Sequence, residues 1–245
     1  MAEPPRGPIV TVDGPAGSGK STTARAVARR LGLRHLDSGA LYRALTLALL
    51  ESGVAEEDWP SLGEDDLAAL DVSLRTDREA FRIRVAGREV DDELRSEAVT
   101  SRVSAVARIP AVRATLLGLQ REAGRHGSLV ADGRDMGTVV FPEADVKVFL
   151  VADLGERARR RLLERTGREP TPREVDAEAD ALARRDRSDS LRSLSPLRRP
   201  EDALDVDTTR LGFEEQVDAV VRRVRALTGE RRGGGSPPGD GPGPP

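Results

Sequence analysis

Apolar residues recur along this chain with two periods, and the switches between them mark its elements. Ile9-Val10-Thr11-Val12 is a short β-rich run that breaks into a glycine-rich loop. Directly after it Ala24, Val27, Ala28 and Leu31 recur at helical spacing until Gly32 stops them. Leu33 to Leu36 predicts a second strand, which runs through Asp37-Ser38-Gly39 into a helix with Leu41, Leu45, Ala48 and Leu49 on one face. Ser128 to Ala131, Val146 to Val151 and Ala203 to Val206 predict three more buried strands, and Phe213, Val217, Val220, Val224 and Leu227 a last helix. Strands alternating with helices give an α/β fold with a parallel sheet flanked by helices. Between Asp71 and Val90 the period drops to two: Phe81, Ile83 and Val85 alternate with Arg82 and Arg84 before an Ala86-Gly87 turn. This predicts a small antiparallel sheet inserted into the core. Val99, Val103 and Val106, then Ile109, Val112, Leu116 and Leu119 beyond a break at Pro110, restore helical spacing.

The stretch from Arg157 to Ser188 is the most charged, and its two helical segments are interrupted between Gly167 and Pro172. A pair of this kind predicts a lid able to close over a site. Arg157, Arg160 and Arg161 either donate charge on closure or pair along the surface with Glu156 and Glu164. From Gly229 onward there is no large apolar residue, so 229–245 is expected to be a disordered tail, and 1–7 a flexible N-terminus. No internal repeat is visible.

Composition narrows the classes. The 245 residues suit one α/β domain with insertions or two small ones, with 38% apolar and 33% charged residues. A formal net charge of −3 opposes a general nucleic-acid binder. The absence of cysteine excludes disulfides and thiolate chemistry, and two histidines, His35 and His126, exclude a histidine-rich metal site. No signal-peptide core or membrane-length apolar run is seen, so a cytoplasmic protein is expected. All but two of the 39 basic residues are arginine, and one of the two lysines is Lys20.

That lysine closes GPAGSGKS, which fits G-x-x-x-x-G-K-[ST] with Gly14, Gly19, Lys20 and Ser21 in the defining places. Glycines let backbone N–H groups turn toward a phosphate chain, and the following helix directs its positive end there. Lys20 reaches terminal phosphates as a point charge, and the Ser21 hydroxyl suits Mg²⁺. A GTPase would add N-K-x-D; the other lysine, Lys147, stands in Asp-Val-Lys-Val and does not supply it. Arg134 and Asp135 follow a predicted strand at the ligand-binding edge of the sheet. Arg185, Asp189 and Arg192 share a face if their helix is continuous. With Ser38 and Arg43 these cations provide for two phosphate sites, as phosphoryl transfer between two anions requires. Asp132 ends a hydrophobic strand, and either helps organise Mg²⁺ or caps the next turn. Trp59, His126 and His35 are read as structural, the first two in loops.

Taken in order, GPAGSGKS, LDSGALYR, ADGRDMGTVVFP and RRDRSDSLRSLSPL resemble the bacterial cytidylate kinases of the nucleoside monophosphate kinase group, over about Pro8 to Leu227. The resemblance implies a P-loop NTPase-type sheet with an inserted monophosphate-binding part (about 37–108) and a helical lid (about 154–190), within a domain spanning 8–228. It implies transfer of the ATP γ-phosphate to CMP or dCMP in pyrimidine nucleotide metabolism, with Mg²⁺ on Ser21. Gly14, Pro15, Ala16, Gly17, Ser18, Gly19, Lys20, Ser21 and Thr22 would hold ATP. Ser38, Arg43, Arg134 and Arg192 would surround the CMP phosphate, with Arg185 and Asp189 near sugar and phosphate. Ser104, Arg113 and Asp135 would read cytosine, and Lys20, Arg134, Arg185 and Arg192 would be the catalytic cations. Partners would be CMP, dCMP and ATP, with no nucleic acid or membrane, and the chain a monomer. The base assignment makes chemical sense, since a carboxylate, a guanidinium and a hydroxyl complement the N4 amino group and the N3/O2 edge of cytosine. Uracil would set an acceptor against Asp135. Two rivals remain: a kinase for another small acceptor such as UMP or shikimate, and a non-catalytic nucleotide- or RNA-binding regulator.

Overall fold

The computed structural model describes residues 7–76 and 81–232. Five parallel strands form the main sheet: β1 (Ile9–Asp13), β2 (Arg34–Asp37), β6 (Leu129–Gly133), β7 (Val146–Val151) and β8 (Leu204–Asp207), in the order β2-β6-β1-β7-β8. β1 and β6 are buried along their whole length, which is why they read as unbroken apolar runs rather than as alternating ones. Register aligns Asp13 with Gly133 on one side and with Phe149 on the other, while Asp37 lies opposite Asp132. Carboxylates from three strands therefore end at one edge.

Successive residues of β1 feed opposite cores, as the two-residue repeat of a strand requires. Ile9 joins the larger core, with Leu36, Leu41, Leu45, Leu116 and Met136. Val10 and Val12 join the other, with Val27, Val148, Val217 and Val220. The first core is covered by α2 (Ser38–Glu51), α4 (Glu97–Val106) and α5 (Pro110–Ala123), the second by α1 (Lys20–Leu31) and α8 (Phe213–Arg232). The charged hairpin is α6 (Leu154–Thr166) and α7 (Pro172–Ser190). β3 (Val72–Thr76), β4 (Phe81–Val85) and β5 (Arg88–Glu89) make the expected antiparallel insert.

Some details depart from the sequence expectation. Trp59 is not in an open loop but in a 3₁₀ turn (Glu56–Ser61), buried in the larger core with its indole N–H donating to the Val54 carbonyl at 3.1 Å. A short helix, α3 (Glu64–Ala68), follows it. Pro110 opens α5 at its first turn, where its missing N–H costs nothing. α8 runs past Gly229 to Arg232; the rest of the expected tail and residues 1–6 of the expected flexible N-terminus lie outside the described residues. Among the described residues no helix is long and apolar enough to cross a membrane.

Leu116 is fully buried in the larger core, whereas Leu163 on α6 is 36% exposed. Leu116→Ala is expected to lower unfolding stability by about 2–5 kcal/mol and Leu163→Ala by about 0.5 kcal/mol or less. Equal denaturant midpoints for the two variants would mean that α5 does not carry core packing.

Candidate active site

The glycine loop lies between the end of β1 and the start of α1, and its glycines are set by close approaches at Gly14 and by backbone conformation at Gly19. A Cβ on Gly14 would stand 2.3 Å from the Leu150 carbonyl oxygen of β7. Gly19 caps α1 with φ +83°, a conformation that side chains rarely adopt. Lys20 folds back so that Nζ donates to the Pro15 carbonyl at 3.1 Å. Burial, and next the cation of Arg134, push its pKa down to about 7, with Asp132 pulling the other way. A lysine so placed gains strongly from a bound polyphosphate. The Ser21 hydroxyl donates to Asp132 Oδ2, and Asp132 Oδ1 meets His35 Nε2 at 2.8 Å. Asp132 thus reaches back to the phosphate loop rather than capping the next turn, and His35 braces it. Thr22 is exposed in the first turn of α1, where the buried Thr23 instead bonds the Gly19 carbonyl at 2.9 Å.

The second half of the site hangs from Asp13. Its carboxylate accepts the N–H groups of Met136 and Gly137 at 2.9 and 2.8 Å, holding the turn that carries Arg134 and Asp135. Burial raises its pKa to about 7 against the opposing effect of those two hydrogen bonds. Asp135 forms a buried ion pair with Arg113, which also donates to the Ala107 carbonyl at 3.2 Å and lies 5.4 Å from the Tyr42 ring centre. Tyr42, Arg113, Gln120 and Asp135 line a pocket of about 100 Å³.

Arg134 Nε meets Asp189 Oδ2 at 3.0 Å, and Arg192 lies 3.6 Å from the other oxygen of Asp189. α7 ends at Ser190, so the assumption of one continuous helical face fails for Arg192: it arrives from the irregular turn beyond, donating to the Ser195 carbonyl at 2.7 Å. Arg185 has a buried Nε without a partner among the described residues, and burial followed by Arg134 lowers its pKa to about 10. Arg43 donates to the Leu94 carbonyl at 3.0 Å and to Thr100 Oγ1 at 2.8 Å. Ser38 is buried at the start of α2, where Asp37 caps the helix through the Ala40 N–H at 2.9 Å. Ser104 is half-buried on α4, and no hydrogen bond among the described residues joins it to the Arg113–Asp135 pair.

Asp13, Gln120 and Asp186 carry polar contacts that no sequence motif marks. Gln120 Nε2 donates to Ser38 Oγ at 2.8 Å, which leaves the hydroxyl proton of Ser38 for an acceptor. The one local signal was the position of Asp13, the residue directly before the phosphate loop. The arginines on α6 are paired: Arg157 with Asp186, Arg160 with Glu156 and Arg161 with Glu178.

A sequence model of the family described as Cytidylate kinase matches residues 10–226. The chain is 43% identical over 222 residues to a cytidylate kinase of Geobacter sulfurreducens, covering 90% of this chain and 94% of that protein. It is 44% identical over 222 residues to one of Exiguobacterium sibiricum, covering 89% and 95%. It is also 45% identical over 227 residues, 92% of its length, to the bifunctional pantoate ligase/cytidylate kinase of Synechococcus sp. strain CC9605, and it spans only 47% of that longer protein.

The Asp13 carboxyl moves from 3.8 in an unfolded chain to about 7 in the fold, so the folded state holds its proton more tightly. Its contribution to stability is complete below the unfolded value and is lost as pH rises to about 7. Relative to Asp13→Asn, the protein is expected to lose on the order of 4 kcal/mol across that window and then level off. A stability difference independent of pH, from denaturant midpoints at each pH, would contradict this assignment.

Proposed function

Because the chain belongs to the cytidylate kinase family, we propose that it transfers the γ-phosphate of ATP to CMP or dCMP, giving ADP and CDP or dCDP. The observation that carries this reading is the pairing of two anion-ready loops at one sheet edge, with the Arg113–Asp135 pair lining a pocket beside the second.

In this reading residues 14–22 hold the ATP phosphates, with Lys20 at the transferred group. Ser38, Arg43, Arg134 and Arg192 receive the acceptor phosphate, with Arg185 and Asp189 bordering it and the sugar. Asp135 spends one oxygen on Arg113, leaving the other to accept from the cytosine N4 amino group; the Arg113 guanidinium and Ser104 face the acceptor edge. Ser21 and Asp132, a hydroxyl and a carboxylate side by side, form an oxygen donor set suited to Mg²⁺. Mg²⁺ bound there would neutralise charge on the polyphosphate.

The nucleophile is an oxygen of the acceptor phosphate, whose second pKa of about 6 leaves it largely deprotonated at neutral pH. The protein needs no general base. Its residues align two phosphates, offset their repulsion with Lys20 and the arginines, and exclude competing water.

ADP release over CMP, dCMP, UMP, AMP and shikimate is the direct test: turnover is expected with CMP and dCMP, and preference for UMP or shikimate would overturn the reading. Lys20→Ala is expected to cut kcat by about 10²-fold or more; rates like those of the unmodified chain would remove Lys20 from its role. Asp135→Ala is expected to raise KM for CMP about tenfold with a smaller change for ATP. An unchanged CMP constant would place base recognition elsewhere.

A further inference from the structure

Ala16, in the middle of the phosphate loop, is held by two side chains that the transfer scheme does not use. Its N–H donates to Asp186 Oδ1 at 3.0 Å, and its carbonyl accepts from Arg157 Nη1 at 2.8 Å. The same Nη1 donates to Asp186 Oδ2 at 2.6 Å, closing the ring, and Arg157 Nε is fastened to the Ala152 carbonyl at 3.0 Å. Both polar groups of one loop residue are thus bound by partners that also bind each other.

Packing repeats the pattern. The Ala16 methyl is buried with Ala158 and Leu182, inside the small core of the α6–α7 hairpin. At the next residue, a Cβ on Gly17 would lie 3.2 Å from the Arg157 carbonyl oxygen and 3.3 Å from the Arg157 Cβ. The root of the charged hairpin and the phosphate loop therefore form one packed unit. A carboxylate and a guanidinium satisfying backbone groups in a buried setting are among the stronger hydrogen-bonding arrangements, and removing one partner strands the other.

We propose that Arg157 and Asp186 are a positioning pair for the donor loop: they set the Ala16 peptide so that the following N–H groups stay converged on a polyphosphate. Neither side chain need touch the transferred group. The kinetic part of the test rests on the phosphotransfer reading above, whereas the binding part does not.

Asp186→Asn, Arg157→Gln and the double variant would be made in the full chain. Each would be assayed for affinity toward a non-hydrolysable ATP analogue with Mg²⁺, for KM of ATP and CMP, and for thermal midpoint. Asp186→Asn sets an amide against the Arg157 charge; the analogue is expected to bind about tenfold more weakly and KM for ATP to rise alike, with KM for CMP changed less than about twofold. The neutral Asn–Gln pair can still hydrogen-bond and is expected to recover most of the loss. If Asp186→Asn does not fold, Asp186→Glu, which keeps the charge but displaces it, is expected to shift affinity in the same direction. Analogue affinity within about twofold of the unmodified chain in a folded variant, equal losses for ATP and CMP, or a double variant no better than the weaker single would each overturn the proposal. A chain that meets the binding expectations but fails to phosphorylate CMP would overturn the acceptor reading and leave the positioning pair standing.

Discussion

A single buried carboxylate sets the spacing between the two halves of the site. Asp13 is the last residue of β1 and directly precedes the phosphate loop, so the loop's origin is fixed by the central, fully buried strand of the sheet. The same side chain accepts two backbone N–H groups from the turn after β6, which carries Arg134 and Asp135. Burying a carboxylate is costly, and here two N–H donors offset the cost without cancelling it, as its raised pKa shows. The turn comes very close: a Cβ on Gly137 would stand 2.8 Å from Thr11 Oγ1 and 3.0 Å from Pro200 Cγ, so a side chain there would displace its neighbours.

Around this anchor the charges interleave rather than cluster. Asp135 answers Arg113, and Asp189 lies between Arg134 and Arg192. The cations still crowd one another. Arg134 depresses Lys20 and Arg185, and Arg113 depresses Arg192, in each case after burial itself. Fixed cations that repel one another in a partly desolvated site hold unfavourable energy that an anionic ligand relieves. The arrangement therefore favours an anionic ligand over a neutral one.

The sequence disclosed local devices and concealed those made by distant segments. The glycine loop, its strand and its helix lie within about 25 consecutive residues and obey short-range rules of turn chemistry and helical period. The parallel strands were legible as apolar runs, but their order, with β6 between β1 and β2, depends on pairings more than ninety residues apart. Gln120 on Ser38 and Asp186 on Ala16 are likewise contacts of 82 and 170 residues' separation, invisible to any pattern within a window. Arg192 shows the opposite failure: its spacing from Arg185 looked helical, yet the helix ends first and an irregular turn delivers the guanidinium.

The antiparallel insert acts on the site through one helix. α2 places Ser38 at its first position and Arg43 within its second turn, and its apolar residues are split between two cores. Leu41, Leu45 and Leu49 face the sheet, while Ala44, Leu47 and Ala48 pack against Val85, Val90, Leu94 and Val99 of the insert and the segment after it. Arg43 ends on the Leu94 carbonyl and the Thr100 hydroxyl, both from that segment. Arg34 on β2 lies over the Phe81 ring of β4 at 5.0 Å, joining the two sheets. With apolar contacts on two sides and polar ties at its arginine, α2 has little freedom to rotate, so the direction of Ser38 and Arg43 is set by the insert as much as by the sheet. Loosening the insert would disturb Ser38 and Arg43 before the glycine loop, which is fixed separately through Asp13, Arg157 and Asp186.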